Sequence, residues 1–561
     1  MADASQKSFR KAFPAFLNLR RWDGLVVATI VVAALVALPI VSLVAVALSG
    51  NVDSLVRLAS TILPRATVTT LSLLAGIAVT TGILGALSAW LVTFFQFPGR
   101  RLFSWALMLP LAVPTYISAY AFVEFFGFTG PLQSLLRSVS GFASARDYWF
   151  PDIRSTGGAI LVLSLVLYPY VYLSVRTLFF LQGRRAIEAG EVLGASQWRI
   201  LTRILLPLAR PALALGIILA LMEAINDIGA IEYLGVQTLT FSIFSVWVNQ
   251  NDIAGSAQIA LVLLLVVFAL ILGERLARRG QRYSEIGGAS ATGPFKRHDL
   301  TGLRKWGAIV SCALPVLLGF GVPFFVLGFY AQRYLARGFD AKLINAIVTS
   351  IGFASVAAIV TVLLALLLTY TVRVKGTRSI SALVRFASIG YAMPGTIIAL
   401  GIFLPLARFD NIVDAYMRDW FGISTGLLIT GSGATLVYAY VVRFMVIAEG
   451  SIDGGFKKIS SSLDMAARCY GRGRFQTLKE ILLPLLHPAI ATAALLVFID
   501  SLKELSATLM LRPFGIETLA IYVHDLASRG RIEQASVPSL IIMLVGVIPV
   551  IILVRTTLRD R

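Results

Sequence analysis

The sequence predicts an all-α polytopic membrane protein of about 12 transmembrane helices, arranged as two parallel six-helix repeats that each carry a cytoplasmic helix–turn–helix. Three observations predict this. The 561 residues are 57% hydrophobic with a mean hydropathy of +0.83, more apolar surface than a soluble core can hide. The charged residues, 14% of the chain, cluster between apolar runs of about 20 residues, the length that crosses roughly 30 Å of hydrocarbon as a helix. Finally, residues of the first half recur in the second at a constant offset of 277.

The basic start MADASQKSFRKAF precedes an apolar run at about 25–48. That run is too long for a signal-peptide core and has no clear cleavage site, so it reads as a retained anchor. Further spans follow near 66–94, 102–126, 156–178, 209–227, 256–274, 306–330, 343–372, 383–407, 425–449, 487–510 and 536–556. Pro114 and Pro394 fall inside the third span of each half, where a missing N–H and a fixed φ bend or break a helix. With both termini in the cytoplasm, 35 of the 49 Lys and Arg residues lie on the inner side and 13 on the outer, with Lys503 inside a span. The organisation is therefore a cytoplasmic N-terminus at 1–23, a first repeat at 24–280, a cytoplasmic linker at 281–304 with a Gly/Ser/Ala-rich flexible middle, and a second repeat at 305–558.

Several function classes drop out. The net charge of +20 sits in short loops between spans rather than in a stripe on a soluble domain, which argues against nucleic acid. Two cysteines, Cys312 and Cys469, give neither a disulfide framework nor a thiolate metal cluster. His298, His487 and His524 are scattered without metal-ligand spacing, so no metal is assigned. No Gly-Lys pair occurs, hence no phosphate loop. The chain binds no cofactor on this reading and is not an enzyme.

The longest polar interruption of the first half, Ile187 to Pro211, has a second copy at Asp464 to Pro488: Gly194, Ile204, Pro207 and Pro211 return as Gly471, Ile481, Pro484 and Pro488. Each copy reads as a short helix ended by a glycine in the left-handed region, then an amphipathic helix, which Ser196 caps in the first copy, turned up into the fifth span by its prolines. Two such elements at equal positions imply a twofold partner.

These segments resemble the EAA loop of ABC importer permeases. Glu188, Ala189, Gly190, Gly194, Ile204, Leu206 and Pro207 carry the first copy. Met465, Ala466, Ala467, Gly471, Ile481, Leu483 and Pro484 carry the second, with Met465 where Glu is expected and Asp464 one place earlier. The resemblance implies two fused permease halves in a bacterial inner membrane. It also implies that both loops dock on two copies of a cytoplasmic ABC ATPase, which uses the ATP, and that an extracytoplasmic binding protein delivers the substrate. The run KELSATLMLRPF at Lys503 to Phe514 resembles the ferric-iron subgroup and implies a periplasmic ferric-binding protein. Thiamine, polyamine or another small solute is the alternative cargo. A secondary transporter would share parallel halves and buried acids but leaves the duplicated loop unexplained.

Glu223 and Asp227 are spaced for one helix face, and Asp500 and Glu504 repeat the pair. Four intramembrane carboxylates are candidates for a cation path, because hard cations prefer oxygen ligands. The structural alternative has Lys503 neutralising Glu504 and Asn226 hydrogen-bonding Asp227. Glu124 is a further intramembrane acid without a repeat partner.

Overall fold

A computed structural model describes residues 23–180, 190, 192–278, 297–335, 340–388, 390 and 393–557. Among the described residues eleven helices are long and apolar enough to cross a membrane. A twelfth span is the pair Arg100–Ala112 and Thr115–Ser140, bent by 95° at Pro114. The span expected at 383–407 is likewise two helices, Arg378–Ala387 and Gly395–Phe421, with Pro394 at the break. Both prolines sit just before a helix start, where the absent N–H goes unmissed, and their carbonyls accept from Ser118 and Ile398 at 3.0 and 3.1 Å. The Gly/Ser/Ala-rich part of the linker lies outside the described residues. Its last part is ordered: His298–Asp299 pairs in parallel with Phe95–Gln96.

The chain divides into two compact units, and these are not the two sequence halves. One unit holds Ser49–Ala346 with Leu519–Arg561, and the other Met1–Leu48 with Ile347–Thr518. The reason lies in what each half's first helix packs against. Gly24–Leu48 packs on Arg378–Ala387 and Gly395–Phe421 of the second half's broken third span. Gly302–Leu335 packs on Leu109–Ala112 and Thr115–Phe126 of the first half's broken span, and on the final helix Ile532–Thr557.

Lipid tails give helices no hydrophobic reason to associate, so close approach at small residues and van der Waals contact must hold them. In the unit containing residues 49–346, Ile62–Phe94 and Leu206–Asn226 both cross Thr156–Leu178 at Val171. A Cβ on Gly85 would lie 2.6 Å from Val171 Cβ, and one on Gly216 2.6 Å from Val171 Cα. Gly319 rests on the Leu165 carbonyl and Gly546 on that of Ala112. Along Ile62–Phe94 the exposed Val68, Leu71, Val79 and Ile83 form a lipid-facing side, while Ala66, Thr70, Leu73 and Ile77 are buried. In the other unit Gly401 meets the Pro39 carbonyl, and Ala434–Lys457 packs along Leu483–Leu502. The loop after Phe421 is tied by carboxylates: Asp410 accepts from the Ile429 and Thr430 amides, and Asp414 from those of Thr425 and Gly426.

A Cβ at Gly401 would stand 2.2 Å from the Pro39 oxygen, whereas one at Gly352 meets nothing within 4 Å. Gly401→Val is therefore expected to destabilise the protein by about 1–3 kcal/mol, and Gly352→Ala to leave it unchanged or slightly more stable. Thermal unfolding of both variants in detergent checks this, and equal shifts would contradict the packing described.

Candidate functional site

In their described residues the two polar segments share the same closing turn. Glu188 and Ala189 of the first segment lie outside the described residues. From Gly190 onward, the Ala195 amide donates to the Gly190 carbonyl at 3.0 Å across Gly194, whose φ is +73°. In the second segment the Arg472 amide donates to the Ala467 carbonyl at 3.0 Å across Gly471, φ +72°. This is the C-terminal turn that a glycine closes without steric cost. The following helix starts after Ser196 in one copy, whose hydroxyl accepts from the Arg199 amide at 3.4 Å, and after Gly473 in the other.

The prolines do not turn these helices. Trp198–Asn226 and Arg474–Leu502 each run unbroken into the membrane. Pro207 and Pro484 lack the amide that would close an ordinary turn, and each is preceded by one wider π turn, Leu201–Leu205 and Leu478–Leu482. There the Leu206 amide reaches the Leu201 carbonyl and the Leu483 amide that of Leu478.

The tips point outward. Val192, Leu193 and Trp198 are exposed in the first copy, and Met465, Tyr470 and Phe475 in the second, with Ala466 exposed and Ala467 buried. Asp464 turns inward: Arg373 donates to its Oδ2 from Nε at 2.9 Å and pairs through Nη2 at 2.7 Å. The same guanidinium donates to the Phe456 and Ile459 carbonyls. Beside it Asp23 pairs with Lys375 at 3.2 Å and with Arg474. The hydrogen bond from Lys375 holds the Asp23 carboxyl below the usual range, so this pairing persists above the ordinary carboxylate pKa and is lost as pH falls through the lowered value.

At the membrane-embedded ends of these long helices the expected acidic face does not form. The first helix stops at Asn226, and Asp227, with ψ 97°, leaves it and caps the next, accepting from the Ala230 amide at 2.9 Å. Leu483–Leu502 stops two residues before Glu504, which accepts from the Ala507 amide at 2.9 Å. Carboxylate and amide are again 277 apart in both pairs. Asp500 remains helical and pairs with Lys503 at 2.8 Å. Glu504 is neutralised by Arg443 at 2.7 Å, with both side chains buried, and its other oxygen accepts from the Thr508 amide and hydroxyl. Asp227 has no such cation among the described residues; the Thr115 hydroxyl and the Gly229 amide lie by its carboxylate beside the Ala230 amide. Glu223 is half-buried on the preceding turn. Glu124 accepts from the Tyr330 hydroxyl at 3.1 Å.

The family described as binding-protein-dependent transport system inner membrane component matches residues 78–282 and again 361–559. The chain belongs to this family. Among the relatives of this permease, the Fe(3+)-transport system permease protein FbpB 2 of Haemophilus influenzae is 24% identical over 474 residues, covering 84% of this chain and 85% of that one. The putative ferric transport system permease protein FbpB 1 of the same organism is 23% identical over 75% of this chain and 66% of its own. The sulfate transport system permease protein CysW of Escherichia coli K12 is 30% identical over 203 residues, 35% of this chain and 67% of that one. The permease is a multi-pass membrane transport component.

The sequence reading of this permease did not reach Arg443, or the contact of His524 with Tyr120 at 2.8 Å. Partners separated by 61 and 404 residues leave no local pattern. Arg373→Ala removes Asp464's partner together with the donor to the Phe456, Ile459 and Ser460 carbonyls and is expected to cost about 2–4 kcal/mol. Asp464→Asn keeps an acceptor oxygen and is expected to cost clearly less. Unfolding midpoints in detergent compare the two, and equal losses would contradict the clamp.

Proposed function

We propose that this chain is the translocation subunit of a ferric-iron importer, moving its cargo inward by alternating access driven by ATP hydrolysis in two copies of a partner ABC ATPase. The observation that carries the coupling is the pair of identical glycine-closed turns at Gly194 and Gly471, each rigidly continuous with a helix that enters the membrane. A push on either tip is transmitted along one helix to the Asp227 or Glu504 break, because a hydrogen-bonded helix shifts as a body. Glu188, Ala189, Gly190 and Gly194 form one dock, and Asp464, Met465, Ala466, Ala467 and Gly471 the other. The docks are unequal: Asp464 is committed to Arg373, and the second tip offers Met465 and aromatic side chains, so its contact with the ATPase is mainly apolar. The tips face the cytoplasm with both termini, as the Lys and Arg distribution requires.

Ferric iron as cargo is supported by the resemblance to an Fe(3+)-transport permease over 84% of the chain. It is also supported by the buried Asp227 carboxylate, which suits a hard cation and repels a dianion such as sulfate. A periplasmic ferric-binding protein delivers the ion. Of the candidate path residues, Asp227 and Glu223 are not paired with a cation among the described residues, while Asp500 and Glu504 carry Lys503 and Arg443.

Gly194→Val with Gly471→Val places β-branched residues in the left-handed region. The double variant is expected to reach the membrane at normal level, to lose co-purification of the ATPase, and to lose at least nine-tenths of ferric uptake with sulfate uptake unchanged. Retention of the ATPase and of ferric uptake would overturn the coupling assignment. A fall in sulfate uptake instead would overturn the cargo.

A further inference from the structure

We propose that the unit containing residues 49–346 and 519–561 holds a binding site for one anionic phospholipid. It is a cleft where the first docking helix meets the start of Gly302–Leu335, with Arg304 as the partner of the headgroup phosphate. The proposal stands whatever the cargo.

A cavity of about 560 Å³ opens here, within the roughly 300–1,000 Å³ of small-ligand sites. Its apolar wall is Leu87, Trp90, Leu91 and Phe95, from Ile62–Phe94 and the strand after it, with Trp198 and Leu300. Local pairing holds that wall in place. Phe95–Gln96 pairs with His298–Asp299, the Leu300 amide donates to the Gln96 carbonyl at 3.1 Å, and Trp90 meets Phe95 edge-on at 4.9 Å between ring centroids. On the facing helix Gly307 leaves the space open: a Cβ there would meet nothing within 4 Å. No acidic residue lines the cavity. Arg304 does, with its side chain exposed, and among the described residues no carboxylate pairs with it. Residues 296–305 hold four Lys or Arg and one acid.

These features fit a membrane lipid. The lining elements are the ends of spans, so the cleft lies where headgroups meet acyl chains. Leu303, Trp306, Val310 and Leu314 are exposed along the same helix, on a side suited to lipid. Tryptophan is enriched at this depth, and a basic cluster beside a span attracts anionic headgroups. An acyl chain covers the apolar wall, while a guanidinium meets a phosphate through two parallel N–H···O bonds.

The other unit builds the same junction with an anion of its own. There Asp23, the residue before Gly24–Leu48, pairs with Lys375 at the end of Ala341–Lys375 and with Arg474 at the start of the second docking helix. The residue before Gly302–Leu335 is Thr301, which carries no charge. The cleft thus has the cation and lacks the acid, and a phosphodiester supplies it.

Native mass spectrometry of the full-length permease, titrated in micelles with palmitoyl-oleoyl phosphatidylglycerol or phosphatidylcholine, tests the site. One phosphatidylglycerol is expected to be retained, bound roughly fivefold more tightly than phosphatidylcholine. Arg304→Gln is expected to abolish the preference, and Gly307→Leu, which fills the cavity, to lose the retained lipid. Both positions are exposed, so both variants are expected to keep the wild-type unfolding midpoint. Equal retention of the two lipids by the wild type overturns the site, as does unchanged binding in either folded variant. Displacement of the lipid by glycerol 3-phosphate assigns the cleft to a soluble phosphate and overturns the proposal. Lipid retained only after deletion of residues 281–294 assigns the cleft to the chain's own linker and overturns it too.

Discussion

Every helix break inside a bilayer leaves backbone amides that no water can satisfy, and the architecture of this chain follows from how those amides are met. Outside the hydrocarbon the chain uses glycines, at Gly194 and Gly471, to close its helices onto their own carbonyls. At the breaks shared by the two repeats it uses two devices. At Pro114 and Pro394 the break falls on a residue with no amide to satisfy. At Asp227 and Glu504 a carboxylate accepts the first free amide of the helix that follows. Each device appears twice, at matching places, so the breaks belong to the repeat unit and are old features of it.

Duplication then allowed divergence. Once the amide is capped, a carboxylate has a second oxygen to place. In one copy Thr508 occupies it while Arg443 joins the capped amide on the first oxygen, and the break becomes a fixed strut. In the other no cation lies beside Asp227 among the described residues, and the Thr115 hydroxyl and the Gly229 amide lie by the carboxylate instead. The cytoplasmic ends diverge in the same way. Asp464 is drawn inward by Arg373, which leaves Met465 exposed at the tip. The two repeats thus differ both at their polar segments and at their helix breaks.

The frame was legible in the sequence because its signals are local. Apolar runs, prolines within them and the 277-residue offset need only neighbours along the chain, and the helix-closing role of Gly194 and Gly471 follows from their place in the repeat. Three features were not legible. The continuation of the docking helices through Pro207 and Pro484 depends on a π turn that has no composition signal. The exchange of first helices between halves depends on single close approaches, such as Gly401 on Pro39, which hydropathy cannot register. The spacing of Glu223 and Asp227 suggested one helix face, because four residues make a helical turn only where the helix continues, and here it stops at Asn226.

The central claim is that the repeat's two breaks share a fold and differ in task, and the single variants Asp227→Asn and Glu504→Gln test it most directly when each is measured for both unfolding midpoint and ferric uptake. Glu504→Gln strands a buried guanidinium and is predicted to lower stability by about 3–5 kcal/mol, while the protein that remains folded keeps its transport rate. Asp227→Asn is predicted to hold its midpoint, because the capping oxygen is retained, and to lose most uptake. Equal effects of the two substitutions on both measurements would contradict the account.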